Sequence, residues 1–186
     1  VSRRAVLEDT RAEQRNELMQ SADIGENIKA IRDDVVNELI DAYISANGFV
    51  EDWDLDGLGS ALRQEYGLRV SVPDWIEENK EIGDIEIRRR ILEELEEVYL
   101  KKQEIVGELT LRDFEKGIML QVLDSHWKEH LSSMDHLRQG IHLRGFAQKN
   151  PKQEYKREAF EMFSGMLTGI TRNVIGLLCR VEVKEK

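Results

Sequence analysis

The sequence predicts an all-α protein, a small helical domain followed by one long antiparallel two-helix hairpin. Three observations predict it. Apolar residues recur at steps of three and four along most of the chain, which places them on one face of a helix. Hydrophobic residues make up 40% and charged residues 34%, with only 2 prolines, a composition that suits helices with much solvated surface. The breakers, finally, are clustered at Asn47-Gly48, Gly67, Gly83, Gly107 and Gly140 to Pro151, and they cut the chain into helix-length pieces.

Residues 1–20 read as the end of a helix with a weak apolar face, Val6, Leu7 and Leu18, amid alternating Arg and Glu. Residues 21–106 read as a compact helical domain. Ser21 or Asp23 can cap its first helix, with Glu26 placed as in a capping box. Ile24, Ile28, Ile31, Val35, Leu39 and Ala42 mark the inward face, and Asn47-Gly48 is the expected stop. A second helix carries Leu55, Leu58, Leu62 and Tyr66 up to Gly67, and Pro73 opens a short third with Trp75 and Ile76. From Asp84 a longer helix turns Ile87, Ile91, Leu95 and Val98 inward, while Glu86, Glu93, Glu94, Glu96 and Glu97 beside Arg88, Arg89 and Arg90 form a salt-bridged outer face. Trp53 and Trp75 are expected as large core fillers.

The boundary falls near Gly107, with Thr110 and Asp113 offering a fresh cap, and residues 107–186 then form the hairpin. Its first arm carries the stripe Leu120, Leu123, Trp127, Leu131 and Met134; its second carries Tyr155, Ala159, Phe163, Met166, Ile170, Val174, Leu177 and Val181. Each arm of about 30 residues spans roughly 45 Å at the helical rise. Gly140, Gly145 and Pro151 interrupt helix between them, and so short a loop folds the arms back stripe against stripe. Gly165, Gly169 and Gly176 lie within the second arm, where they permit close helix approach.

The net charge of −10 argues against a general nucleic-acid binder. It is unevenly placed, since residues 138–157 hold six basic side chains against the single acid Glu154, so this segment is +5 and the remainder −15. One reading is a solvated turn; the other is an anionic or polar partner for a positive tip. No uninterrupted apolar run reaches the roughly 18 residues of a membrane span, and no signal peptide is evident after Val1. Cys179 sits among Leu177, Leu178 and Val181 as a small buried hydrophobe, compatible with a reducing compartment. His126 and His130 share a helix face, but a third metal ligand is lacking, and they read as flanking the apolar stripe. His136 and His142 approach the loop, where they can add to the positive tip. No phosphate-cradling glycine loop, nucleophile elbow or HExxH is present, so no catalytic residues, metal or cofactor are expected.

The run from Asp124 to Tyr155, and above all MDHLRQGIHLRGFAQKNPKQEYKREAF, closely resembles the two-helix finger of SecA, the motor ATPase family of bacterial preprotein translocation. The resemblance covers about residues 11 to 183 and concerns only the helical wing and helical scaffold. It implies that residues 1–20 are the end of a truncated scaffold helix, 21–106 the wing and 107–186 the finger. It implies a non-enzymatic fragment whose ATP and magnesium belong to nucleotide-binding domains elsewhere in the full motor. It further implies that the finger couples ATPase motions to preprotein movement and restrains the ATPase. The implied partners are the SecY channel complex, unfolded preprotein and signal peptide, the motor domains of the same chain, and an anionic lipid surface, at the cytoplasmic face of the bacterial plasma membrane. The tip residues Arg144, Phe146, Gln148, Lys149 and Lys152 would contact polypeptide and channel. Phe146 stands where the family commonly has tyrosine, so it keeps an apolar grip without the hydroxyl. Trp127, Leu131, Met134, Arg138, Tyr155, Phe163 and Ile170 would pack and regulate the hairpin. The alternative function is a helical protein–protein adaptor with no motor role.

Overall fold

The computed structural model describes residues 24–45, 49–141 and 150–184. All regular structure among them is helical: α1 (Ile24–Asp41), α2 (Leu55–Tyr66), α3 (Val72–Glu78), α4 (Asp84–Val106), α5 (Glu108–Gly140) and α6 (Pro151–Arg180), with a 3-10 turn at Val50–Asp52. Described residues 24–115 and 175–184 form one compact unit, and 116–141 with 150–174 form the other. The division falls within α5 and α6, both of which run through it.

In the first unit α1 packs against α2 and α4, and α2 against α3. Each helix ends for a local reason. Asp54 caps α2 by accepting from the Gly57 amide at 2.9 Å. Gly67 closes α2 at φ 69°, in the left-handed region, with its amide on the Arg63 carbonyl. Pro73 stands in the first turn of α3, where its missing N–H has no partner to lose. Gly107 at φ 86° separates α4 from α5. Its carbonyl already accepts from Leu111 N at 3.1 Å, so α5 starts at once and the expected cap at Thr110 and Asp113 lies inside the helix.

The core differs from the expected stripes in instructive places. On α1 the buried residues are Ile24, Ile28, Arg32, Val35, Val36 and Ile40, while Ile31 and Leu39 are half-buried and Ala42 is exposed, beyond the helix end. The true stripe steps by four through a charged position. On α4 Ile87, Ile91 and Leu95 are buried as expected, but Tyr99 continues the stripe and Val98 is 38% exposed. Trp53 and Trp75 are half-buried at the surface and do not fill the core. Trp53 gives its indole N–H to the Ser45 carbonyl at 3.2 Å, and the Trp75 ring lies 5.8 Å from the Arg90 guanidinium. The polar edge of one ring and the cation-binding face of the other hold them there. The outer face of α4 does carry its ion pairs, Arg90 to Glu86 at 3.0 Å and Lys101 to Glu97 at 2.8 Å among them. The Arg89 and Arg90 guanidiniums hold the Glu86 carboxyl down at about 2. Asp23 and Asn47-Gly48 lie outside the described residues.

The end of α6 also belongs to this unit. Ile175, Leu178 and Cys179 are buried, whereas Leu177 is 41% exposed. The stripe expected through Leu177 is therefore corrected by one position. Burial raises the Cys179 thiol to about 11, as suits an inert core side chain. By length and composition alone α6 is apolar enough to cross a membrane, one 18-residue stretch of it reaching a mean hydropathy of 1.2. It needs no unbroken apolar run for that, because Gly, Thr and Ser weigh little against Leu, Ile and Met.

Candidate functional site in the two-helix hairpin

Within the second unit the two arms meet around Trp127, which is fully buried. Leu123 and Met166 complete the buried centre, and Phe163 and Ile170 pack against it. The expected stripes are thus brought together at their middles. The rings are set edge to face: Trp127 to His130 at 5.6 Å and 83°, His130 to Phe163 at 6.0 Å. Leu131, Met134, Tyr155 and Ala159, on the loop side of that centre, are half-buried, as is Leu120 on its other side.

The histidines are part of this packing. His130 is buried beside Trp127 and Phe163, and burial lowers its pKa. His126 lies over Gly169: a Cβ there would stand 2.9 Å from His126 Cε1. Its Nε2 is 2.7 Å from the Asn173 amide nitrogen, a polar contact between the arms. Of the three glycines on this arm, Gly169 lies at a close approach. A Cβ on Gly176 would make an ordinary contact, 3.6 Å from the Glu65 carbonyl oxygen, and the space around Gly165 is open. Among the described residues no group of three or more His, Cys, Asp and Glu side chains is placed to hold a metal ion.

The loop is entered and left by ordered backbone. Ile141 is buried directly after α5. On the other side Asn150 caps α6, its side-chain oxygen accepting from Lys152 N and its carbonyl from Glu154 N, each at 3.0 Å. Pro151 then takes the first helical position. Arg144, Phe146, Gln148 and Lys149 lie outside the described residues. Lys152 and Lys156 are exposed. Arg138, also exposed, pairs with Asp135 at 3.3 Å, and Arg157 pairs with Glu154 at 2.8 Å and Glu161 at 2.9 Å. The count of +5 over 138–157 therefore overstates the local field, because Asp135 and Glu161 sit one turn beyond that window.

A buried polar cluster in the first unit was not foreseen. Arg32 is 1% exposed, forms an ion pair with Glu96 and lies 4.8 Å from the Tyr99 ring centre. Glu115, fully buried, accepts from the Tyr99 hydroxyl at 2.6 Å and faces Arg112 Nε at 3.1 Å. Burial raises the Glu115 carboxyl and the Tyr99 phenol, each relative to its usual value. Lys102, its pKa lowered by burial, donates to the Cys179 carbonyl and to that of Leu178 at 3.4 Å, capping the end of α6. One signal could have found two of them. Arg32 stands four from Ile28 and Val36, and Glu115 four from Leu111, each on a buried row.

The family model described as the SecA wing and scaffold domain matches residues 6–182. The chain belongs to the SecA wing and scaffold family. That membership ties it to SecA-related protein translocation, and the wing and scaffold domain is a non-catalytic part of SecA. The resemblance carried by residues 124–155 is thereby borne out, together with the all-α fold.

Proposed function

We propose that the hairpin of α5 and α6 is the element that meets a moving polypeptide, with residues 1–20 as the end of a scaffold helix, 21–106 as the wing and 107–186 as the finger. The observation that carries this reading is the buried Trp127 centre between the arms, with ordered backbone at Ile141 and Asn150 on either side of the loop. Two helices clamped side by side bend less than one, so a displacement at one end reaches the other. Phe146 grips varied side chains through its ring without sequence demands. Arg144, Gln148, Lys149 and Lys152 meet the SecY channel loops or anionic lipid headgroups. Arg138 and Tyr155 next to that loop, with the half-buried Leu131, Met134, Phe163 and Ile170 further along the arms, steady the hairpin and hold the ATPase in check until partners bind. The ATP and magnesium act at motor domains elsewhere in the full-length chain, and the substrate is unfolded preprotein with its signal peptide. The site of action is the cytoplasmic face of the bacterial plasma membrane, reached peripherally. Phe146→Gly in the complete motor is expected to stop translocation while the melting curve stays in place, and cross-links from position 146 should reach preprotein. Normal transport by that variant removes the reading.

A further inference from the structure

We infer that an open cleft in the first unit docks a short polypeptide segment carrying a lysine or arginine between bulky apolar side chains. The cleft holds about 620 Å³ and is walled by the turn at Phe49–Trp53 on one side and by Ile76, Glu77, Lys80, Gly83 and Asp84 on the other. That volume suits a few side chains, not a folded domain. It shares no residue with the hairpin, so it stands or falls apart from the function proposed above.

Apolar surface is present there and uncovered. Phe49 is 77% exposed and Trp53 and Ile76 are half-buried. Part of the wall is held in advance. The Phe49 carbonyl accepts from Asp52 N at 2.9 Å, which sets the backbone turn, and the Trp53 indole N–H is tied to Ser45 at 3.2 Å. An occupant therefore need not order the Trp53 ring, which lowers the entropy cost of binding.

Charge selects the occupant. The lining carries Glu51, Glu77 and Asp84 against Lys80, a net charge of −2. Asp84 already shares Arg88 at 3.6 Å, but among the described residues the exposed Glu51 and Glu77 side chains make no hydrogen bond or ion pair. A cation over an aromatic face and beside a carboxylate gains from both contacts, whereas an acidic segment meets repulsion. A basic, apolar segment matches both features of the cleft.

The test titrates the full chain into a fluorescein-labelled peptide with the core Leu-Lys-Phe-Lys-Leu, read by anisotropy beside the same peptide with Glu for Lys. Saturable binding of the lysine peptide at about 10–100 μM is expected. Phe49→Ala, and separately the double change Glu51→Gln with Glu77→Gln, should each weaken it about tenfold. Both variants alter exposed side chains, so unchanged circular-dichroism melts will show that lost binding is not lost folding. Equal binding of the glutamate peptide, no saturation, or wild-type affinity in both variants overturns the proposal. So does light scattering that shows a dimer abolished by Phe49→Ala, which assigns the cleft to a second copy.

Discussion

Replacing Trp127 by alanine tests the clamp between the arms most directly. The indole is fully buried against Leu123, Met166, Phe163 and Ile170, and its edge contacts His130. A buried Trp removes about 200 Å² from water, worth about 5 kcal/mol at 25 cal/mol per Å². The methyl that remains and partial collapse of the cavity reduce the loss to about 4 kcal/mol, within the range found for large-to-small core changes. At 1.4 kcal/mol per decade that is about a thousandfold in a local opening equilibrium. Hydrogen exchange resolved along the chain is the suitable assay. Amides in the middle of α5 and α6, near 123–134 and 159–170, should lose about three decades of protection. Amides of α1 and of α4 around Ile87 to Leu95, which belong to the other unit, should hold theirs. Unchanged protection in the hairpin, or an equal loss in both units, would show that Trp127 does not hold the arms.

Two further outcomes follow from the same contacts. Burial depresses the folded-state pKa of His130, so as pH falls the unfolded chain binds the proton first. Hairpin stability is therefore full above about pH 6.5 and declines below it. Exchange or melting at about pH 5.5 and 7.5 should show the decline in the wild type and a smaller one in His130→Gln; equal slopes contradict it. Gly165→Ala adds a methyl in open space within a helix and should stabilise by about 0.5–1 kcal/mol. Gly169→Ala should lose that gain by pressing on His126; thermal melts that rank the two the other way refute the close approach.

Much of the architecture was legible because helix periodicity and backbone breakers are local. Gly67 and Gly107 end helices at positive φ, and Pro73 and Pro151 begin them, for reasons that need no neighbour. The middle of the hairpin was legible too, since Leu123 and Trp127 on one arm and Phe163, Met166 and Ile170 on the other stand at helical spacing. The rest depended on which charges and rings find partners. Arg32 and Glu115 stood on apolar rows but carried charge, and only Glu96, Tyr99 and Arg112, brought together from α4 and α5, make their burial tolerable. Trp53 and Trp75 have the volume of core residues, yet Ser45 and Arg90 hold them at the surface.

The sequence by itself determined where helices start and stop, which faces are apolar, and, through residues 124–155, the SecA wing and scaffold family. Those properties reside in single residues and their spacing. The tertiary structure decided which side of each stripe is buried, which of three glycines lies under a neighbouring helix, and which acids neutralise Arg138 and Arg157. It alone opened the cleft between Phe49 and Ile76. Burial and pairing are relations between positions far apart in the chain, and no spacing rule along one helix contains them.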